Sequence, residues 1–383
     1  MRFGITVLFW LMLSFGVAGT TNTQAQSSPP ATPGAAVTRQ QAPQVSRGNT
    51  GAVGVITGME GGTYARTGAD LTILDDETLR VLPTLGKGSL QNLSDILYLR
   101  GIDIGFVQAD ALAYAKQHDM FPGLTQNIRY IAKLYDEEIH VLARKDITRL
   151  EDLNGQRVNV DVVGSGSAMT AEILLDALGI KPNVEHDKQV NGVQKLKSGE
   201  IAAIIHVGGA PIPLLADVAA DSGLHFLPVP LGEALAQTYL PDQLTHDAYP
   251  ALVPAGAPVP TIAVGDVLAV FAWPPHTERA INVNHFVDVF FSKFDQFQQP
   301  PRHPKWREVN LAAEVPGWTR FRAAQDWLDR QTSARTASAA TQARFNAFLS
   351  QTNPGMNSKL TDAERDKLFQ QFVAWDKQRP AAR

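Results

Sequence analysis

The 383-residue chain contains no cysteine. Disulfides, thiolate metal centres and lipid attachment through an N-terminal cysteine are thereby excluded, and an oxidising compartment is compatible with the chain. A positive field is missing as well: 34 Lys and Arg face 38 Asp and Glu, a formal charge of −4. Nucleic-acid binders carry a basic patch or stripe, so no nucleic acid is expected as a partner. The nine histidines are scattered, with neither an H-E-x-x-H run nor a paired spacing, so a transition metal has no evident ligand set. Catalytic signatures are equally scarce. The G-x-G-x-x-G fingerprint, the Walker loop and the G-x-S-x-G elbow are all missing, and spacing assembles no Ser-His-Asp set. No cofactor, no metal and no enzymatic activity are expected.

With 44% hydrophobic and 19% charged residues, the chain can bury a substantial core, and its length suits two domains or one bilobed unit. Arg2 precedes an uncharged apolar run, Phe3 to Gly19, followed by small residues with Thr23 and Ala25 at the −3 and −1 positions of a cleavage site. This pattern reads as an export signal peptide over residues 1–25; a retained anchor is the alternative, the run being short for a membrane span. Residues 26–50 are rich in Pro, Ser, Ala and Gln without an apolar period and read as a flexible linker.

From Val53 onward strands and helices alternate. "AVGVIT", "LRVLPTLG" and "IDIGFVQ" read as strands, with helices from "TYARTGADLTIL", "SLQNLSDILYLRG" and "ADALAYAKQ" between and after them. Such βα alternation predicts a parallel sheet with helical crossovers. Residues 128–144 are long for one strand and form either two strands or one that passes between lobes. A second βα set follows: strands "RVNVDVV", "AAIIHVG" and "LHFLPVP", with helices "SAMTAEILLDALG", "VQKLKSGEI" and "PIPLLADVAADSG". Two α/β lobes around a central cleft are expected. Lobe 1 takes residues 51–135 and is completed by 251–330, and lobe 2 takes 136–250. Residues 331–383 form a helical C-terminal extension. Before it, residues 278–297 read as a helix whose stripe of Ile281, Phe286, Val289, Phe290 and Phe294 is core. "TSARTASAATQA" reads as a hinge or a weak helix, and Thr361 with Glu364 as a capping box for a last helix carrying Leu368, Phe369, Phe372 and Trp375. No internal repeat is visible.

Two loops carry the chemistry. Gly58, Gly61 and Gly62 follow the first strand and lead into Thr63 and Tyr64; Gly164, Ser165, Gly166 and Ser167 stand between a strand and a helix, with Ser167 the expected cap. Glycine turns that open helices present free amides to an anion. Two such loops, one per lobe, would hold a carboxylate between them. A helix dipole supplies only about 0.3–1 kcal/mol, whereas a micromolar ligand needs about −8, so several charge-assisted hydrogen bonds are required. Ser89, Tyr64, Gln108, Ser165 and Ser167 are candidate side-chain donors. Gln108 ends a strand where open α/β sheets bind ligands, and Asp110 is placed to cap the helix after it. His206 reads as a satisfied buried histidine, with a place facing the cleft as the alternative, and the trio Asp136, Glu137 and Glu138 as a solvated turn.

These motifs, in order, resemble the TAXI family, the solute-binding proteins of tripartite ATP-independent periplasmic (TRAP) transporters. The resemblance rests on "TGMEGGTYA", "GKGSLQNL", "IDIGFVQAD", "LYDEEIHVLAR", "LEDLNGQRVNVDVVGSGS" and "LKSGEIAAIIHVGGAP" and covers about residues 50–275. It implies a type II periplasmic-binding fold, a periplasmic location, a small organic anion (amino-acid-like or a dicarboxylate) as ligand, and TRAP-type integral membrane permease subunits as partners. Three positions depart from the family pattern: Ala65 stands where a second tyrosine is usual, Ser167 where threonine is, and Ala202 where aspartate is. A receptor whose closed form docks on a signalling protein instead of a permease is the alternative, with the last helix as docking surface.

Overall fold

Val53 and Val55 are buried on one face of the first strand and Ile56 on the other, so this strand is central to a sheet covered on both sides. The computed structural model describes residues 51–352 and 361–376; the signal peptide and linker expected over residues 1–50 lie outside them. In chain order the first half comprises β1 (Ala52–Ile56), α1 (Thr63–Asp70), β2 (Arg80–Thr84), α2 (Ser89–Tyr98), β3 (Ile104–Gln108), α3 (Ala111–Gln117), a single turn α4 (Leu124–Asn127) and β4 (Ile128–Arg144). Then come β5 (Arg157–Asn159), α5 (Gly166–Leu178), β6 (Asn183–Glu185), α6 (Gln189–Lys197), β7 (Ala203–Gly208), α7 (Pro213–Ala216), β8 (Leu224–Phe226), β9 (Leu240–Leu244) and β10 (Val259–Phe271). Helices α8 (Glu278–Ser292), α9 (Arg322–Thr352) and α10 (Asp362–Asp376) finish the chain.

The sheet runs β2-β1-β3-β10-β4-β7-β5-β6, with β8 on β4 and β9 on β10. β1, β2 and β3 are mutually parallel, as are β5, β6 and β7; β10 returns antiparallel to β3, and β4 antiparallel to β7. Each half therefore has the same order, second-first-third and then a returning strand. This is the two-lobed type II periplasmic-binding architecture, and the repeat exists in topology although no sequence repeat announces it. β4 is one continuous strand: its first half pairs β10 and its second half β7. The β4–β10 ladder slips between Gly265 and Val267 and again between Leu268 and Ala269. Bulges of this kind bend a ladder, and this one sits where both strands cross between the lobes.

Each lobe has a core on either face of its sheet. In lobe 1 one face gathers Val53, Phe106, Phe286, Phe290 and Trp306, and the other Ile56, Leu93, Val107 and Trp318. In lobe 2 the faces gather Val141, Val158, Leu174 and Ile205, and Leu142, Ile204, Phe226 and Tyr249. The aromatic stripe on α8 is core as expected, except that Ile281 is 59% exposed and Val283 and Val287 take the inward positions. The Ala/Ser/Thr-rich stretch is not a hinge: α9 runs through it unbroken for 31 residues, alanine being the best helix former. α7 is a single turn, far shorter than expected, whereas β6 and β9 were not foreseen. At the start of α10, Thr361 and Glu364 exchange capping bonds. Phe372 of that helix packs with Phe345 and Leu349 of α9, so the helix covers its neighbour in the extension. The Trp375 side chain lies outside the described residues. No described helix is long and apolar enough to cross a membrane.

Candidate functional site

The two glycine loops line one cavity of about 660 Å³. Gly62 is the N-cap of α1 and offers no side chain to its amides. The first helical bond is from the Arg66 amide to the Gly62 carbonyl, so the amides of Thr63, Tyr64 and Ala65 have no acceptor within the helix. Gly61, at φ +81°, makes the turn, a conformation that L side chains rarely adopt. On the opposite lobe the cap of α5 is Ser165, not Ser167: its hydroxyl accepts from the Ala168 amide at 3.1 Å. The Gly166 and Ser167 amides are left free by this arrangement. Ser167 instead accepts from the Val207 amide at 3.0 Å, tying α5 to β7. Gly88, the N-cap of α2, brings a third helix start to the wall. A Cβ on it would lie 3.3 Å from the Gly166 nitrogen, so the α2 and α5 starts are nearly in contact.

The lobes are joined around the cavity by hydrogen bonds. The Gln91 amide donates to the Gly164 carbonyl at 3.0 Å, and the Thr63 hydroxyl to the Gly209 carbonyl at 3.2 Å. Gln108 donates to the Thr170 hydroxyl, which donates to Asp110, and Tyr239 donates to the same Asp110 oxygen at 2.8 Å. Asp110 stands at the N-cap position of α3, but its side chain makes no capping bond, contrary to expectation, and links β3 to lobe 2 instead. Burial pushes its carboxyl up to about 6, in spite of the Tyr239 and Thr170 donors.

The inner end of the cavity is acidic. Glu137, on β4, is 2% exposed and lines it. Its Oε2 accepts the Tyr64 hydroxyl at 2.9 Å, and Tyr64 stacks on Phe106 with ring centroids 5.4 Å apart. Behind it Asp266, on β10, is fully buried, and neither of its carboxyl oxygens has a hydrogen-bond partner among the described residues. Burial, then the charge of Glu137, holds Asp266 far above the usual carboxylate range. Glu137 is raised chiefly by burial too. Glu138 is also buried and pairs with Lys305 through a short ion pair. The trio is therefore not a solvated turn: only Asp136 keeps substantial exposure, in an ion pair with Lys133 at 2.6 Å.

Of the residues expected in the site, Gly58, Gly61, Gly62, Thr63, Tyr64, Gln108, Ser165, Gly166 and Ser167 line the cavity. Ser89 and Gly164 do not. The Ser89 side chain is fully buried, donating to Gln108 Oε1 at 2.9 Å and accepting from the Gln108 amide at 3.0 Å, so it orients Gln108. Gly164 contributes its carbonyl to the lobe contact. The wall also holds charged residues outside the expected set, among them Glu137, Asp161, Lys87 and Lys188. Asp161 is buried at φ +79°, accepts from the Val162 amide at 2.8 Å, and is pushed up to about 6 by burial. His206 is half-buried on the cavity wall, its Nδ1 3.4 Å from the Ser167 hydroxyl, and burial lowers it to about 4, leaving it neutral. The period of two along β4 held the missed signal for Glu137. Tyr135, Glu137 and Ile139 share one face, and both neighbours are fully buried.

The NMT1-like family matches the chain over residues 55–305. Among solved structures, a protein from Rhodopseudomonas palustris with bound malate is 14% identical, the match covering 68% of this chain and 90% of that one, with a TM-score of 0.42. An ancestral arginine-binding protein bound to arginine is 16% identical over 65% of this chain and 96% of that one, at 0.38. The effector-binding domain of QuiR in complex with shikimate is 11% identical over 63% and 96%, at 0.39.

Proposed function

The chain belongs to the NMT1-like family, and from that premise we propose that it is a solute-binding receptor of the TAXI type, exported to the periplasm, that delivers a small organic anion to a TRAP-type permease. One observation carries the reading: glycine-rich helix starts from opposite lobes line the same cavity, whose 660 Å³ suits a small molecule. The free amides of Thr63, Tyr64, Gly166 and Ser167 receive the carboxylate, with Gln108 and Ser167 beside them. Charge-assisted hydrogen bonds of about 1.5–3 kcal/mol each reach micromolar affinity with four or five donors. Closure sets Gly164 against α2 and Asp110 against α5, so a ligand between the loops is sealed from water by contacts that open when the lobes part. Lobe 1 spans 51–135 and 251–330, lobe 2 spans 136–250, and the receptor binds its guest without chemistry.

The test is a thermal-unfolding screen of the purified mature chain against amino acids, organic acids and nucleotides. A ligand that binds only the native state at a hundred times its dissociation constant adds about 2.7 kcal/mol. Small carboxylates are expected to raise the midpoint by a few degrees and nucleotides to leave it unmoved. A midpoint that stays flat across every carboxylate would sink the receptor reading.

A further inference from the structure

The cavity wall is lopsided in charge. Its only lysines among the described residues, Lys87 and Lys188, are both exposed, at the mouth. At the inner end the ionisable group is Glu137, whose Oε1 has no protein donor among the described residues while Oε2 is held by Tyr64. Every other charge facing it is spoken for or of the same sign. Lys305 is committed to Glu138 and to Glu308 at 2.8 Å, Asp110 to Thr170 and Tyr239, and Asp266 lies behind with Tyr135 beside it. A dicarboxylate reaching this end would meet a carboxyl and no cation, at a depth where an unpaired charge is costly.

We propose that the ligand is zwitterionic, its carboxylate on the loop amides and a cationic nitrogen at the inner end on Glu137, which is the residue that selects for it. This deepens the receptor reading and rests on it. Tyr64 leaves Glu137 one oxygen for the guest, and Ser89 and Thr170 hold Gln108 in place beside it. Because burial favours the neutral carboxyl, a cation entering beside it drives off a proton. Affinity therefore rises with pH until the carboxyl is already ionised in the empty receptor. If Glu137 instead donated its proton to a second ligand carboxylate, affinity would fall as pH rises.

The experiment is calorimetry with each common L-amino acid set beside the 2-oxo acid of the same side chain, from about pH 6 to about pH 9, spanning the range over which a raised carboxyl ionises. The expected result is binding by one or more amino acids, at least tenfold weaker binding by the matching oxo acids, affinity that rises with pH, and proton release read from buffers of different ionisation enthalpy. Glu137→Gln should weaken amino-acid binding by about tenfold to a hundredfold and abolish the proton release, as loss of a charge-assisted bond requires. The wild-type buffer comparison stands even if that variant fails to fold. Equal or tighter binding of oxo acids or dicarboxylates, with affinity falling as pH rises, overturns the zwitterion inference and leaves the receptor reading intact. Silence from both panels overturns both.

Discussion

Gly166 has no room for a side chain. A Cβ there would sit 1.7 Å from Gln108 Oε1 and 2.7 Å from the Ser89 hydroxyl, and Gln108 is pinned by bonds to both Ser89 and Thr170. The obstruction exists only when the lobes meet, because Gly166 belongs to lobe 2 and Gln108 to lobe 1. Gly166→Ala is therefore expected to fold with nearly the wild-type melting midpoint and to lose the ligand-induced rise in it. A variant that kept the full rise would remove this loop from the site. Glycine and hydroxyl content made the loop legible in the sequence, but the division of labour within it was not: either serine is a good N-cap, and only the position of the Val207 amide decides that Ser167 is used elsewhere. The local pattern around Glu137 misleads for a related reason. Three consecutive acids look solvated, and the lysine that compensates Glu138 comes from residue 305, beyond any local pattern.

Among the elements, α8 shows how much periodicity conveys. Its apolar face was evident from spacing, and Phe290 proves to be the centre of a cluster with Phe286, Phe291, Phe294, Phe297 and Trp306, at centroid distances of 5.4–6.1 Å. Phe290→Ala should cost about 3–5 kcal/mol, because rings on every side prevent the gap from collapsing. A melting midpoint lowered by about 10 °C is the expected reading, and a fall of only a degree or two would show that this helix is not central to lobe 1. The elements that escaped notice are those with little to bury. β6 has two exposed residues of three, and β9 only one buried residue of five, so neither shows alternation; pairing with β5 and β10 creates them. In α7 the apolar content suggested a long helix, yet the described turn covers only Pro213–Ala216.

At the scale of the whole molecule, two lobes were legible from two runs of βα units, and the uncommon length of the segment 128–144 left two strands or one shared strand open, of which β4 is the second. The exchange of roles was not legible. That β10 returns in lobe 1 as β4 does in lobe 2 depends on pairings far apart in the chain, such as Gln108 with Asp266 and Glu138 with Gly208. Among the described residues the cavity wall draws on none beyond Leu214, so the C-terminal helices should be dispensable for binding. A chain ending at Gln331 retains Trp327 against Phe291, 5.1 Å between centroids, and is expected to melt a few degrees lower with its ligand-induced rise unchanged. Loss of that rise would make the extension part of the binding unit. The intact α9 has a further consequence. Its first turns are fixed to lobe 1 through Trp327, and at 1.5 Å per residue its 31 residues make an arm about 46 Å long. At that length a tilt of lobe 1 by about 10° would carry the tip of the arm through an arc of about 8 Å, several times the displacement of a residue beside the cleft.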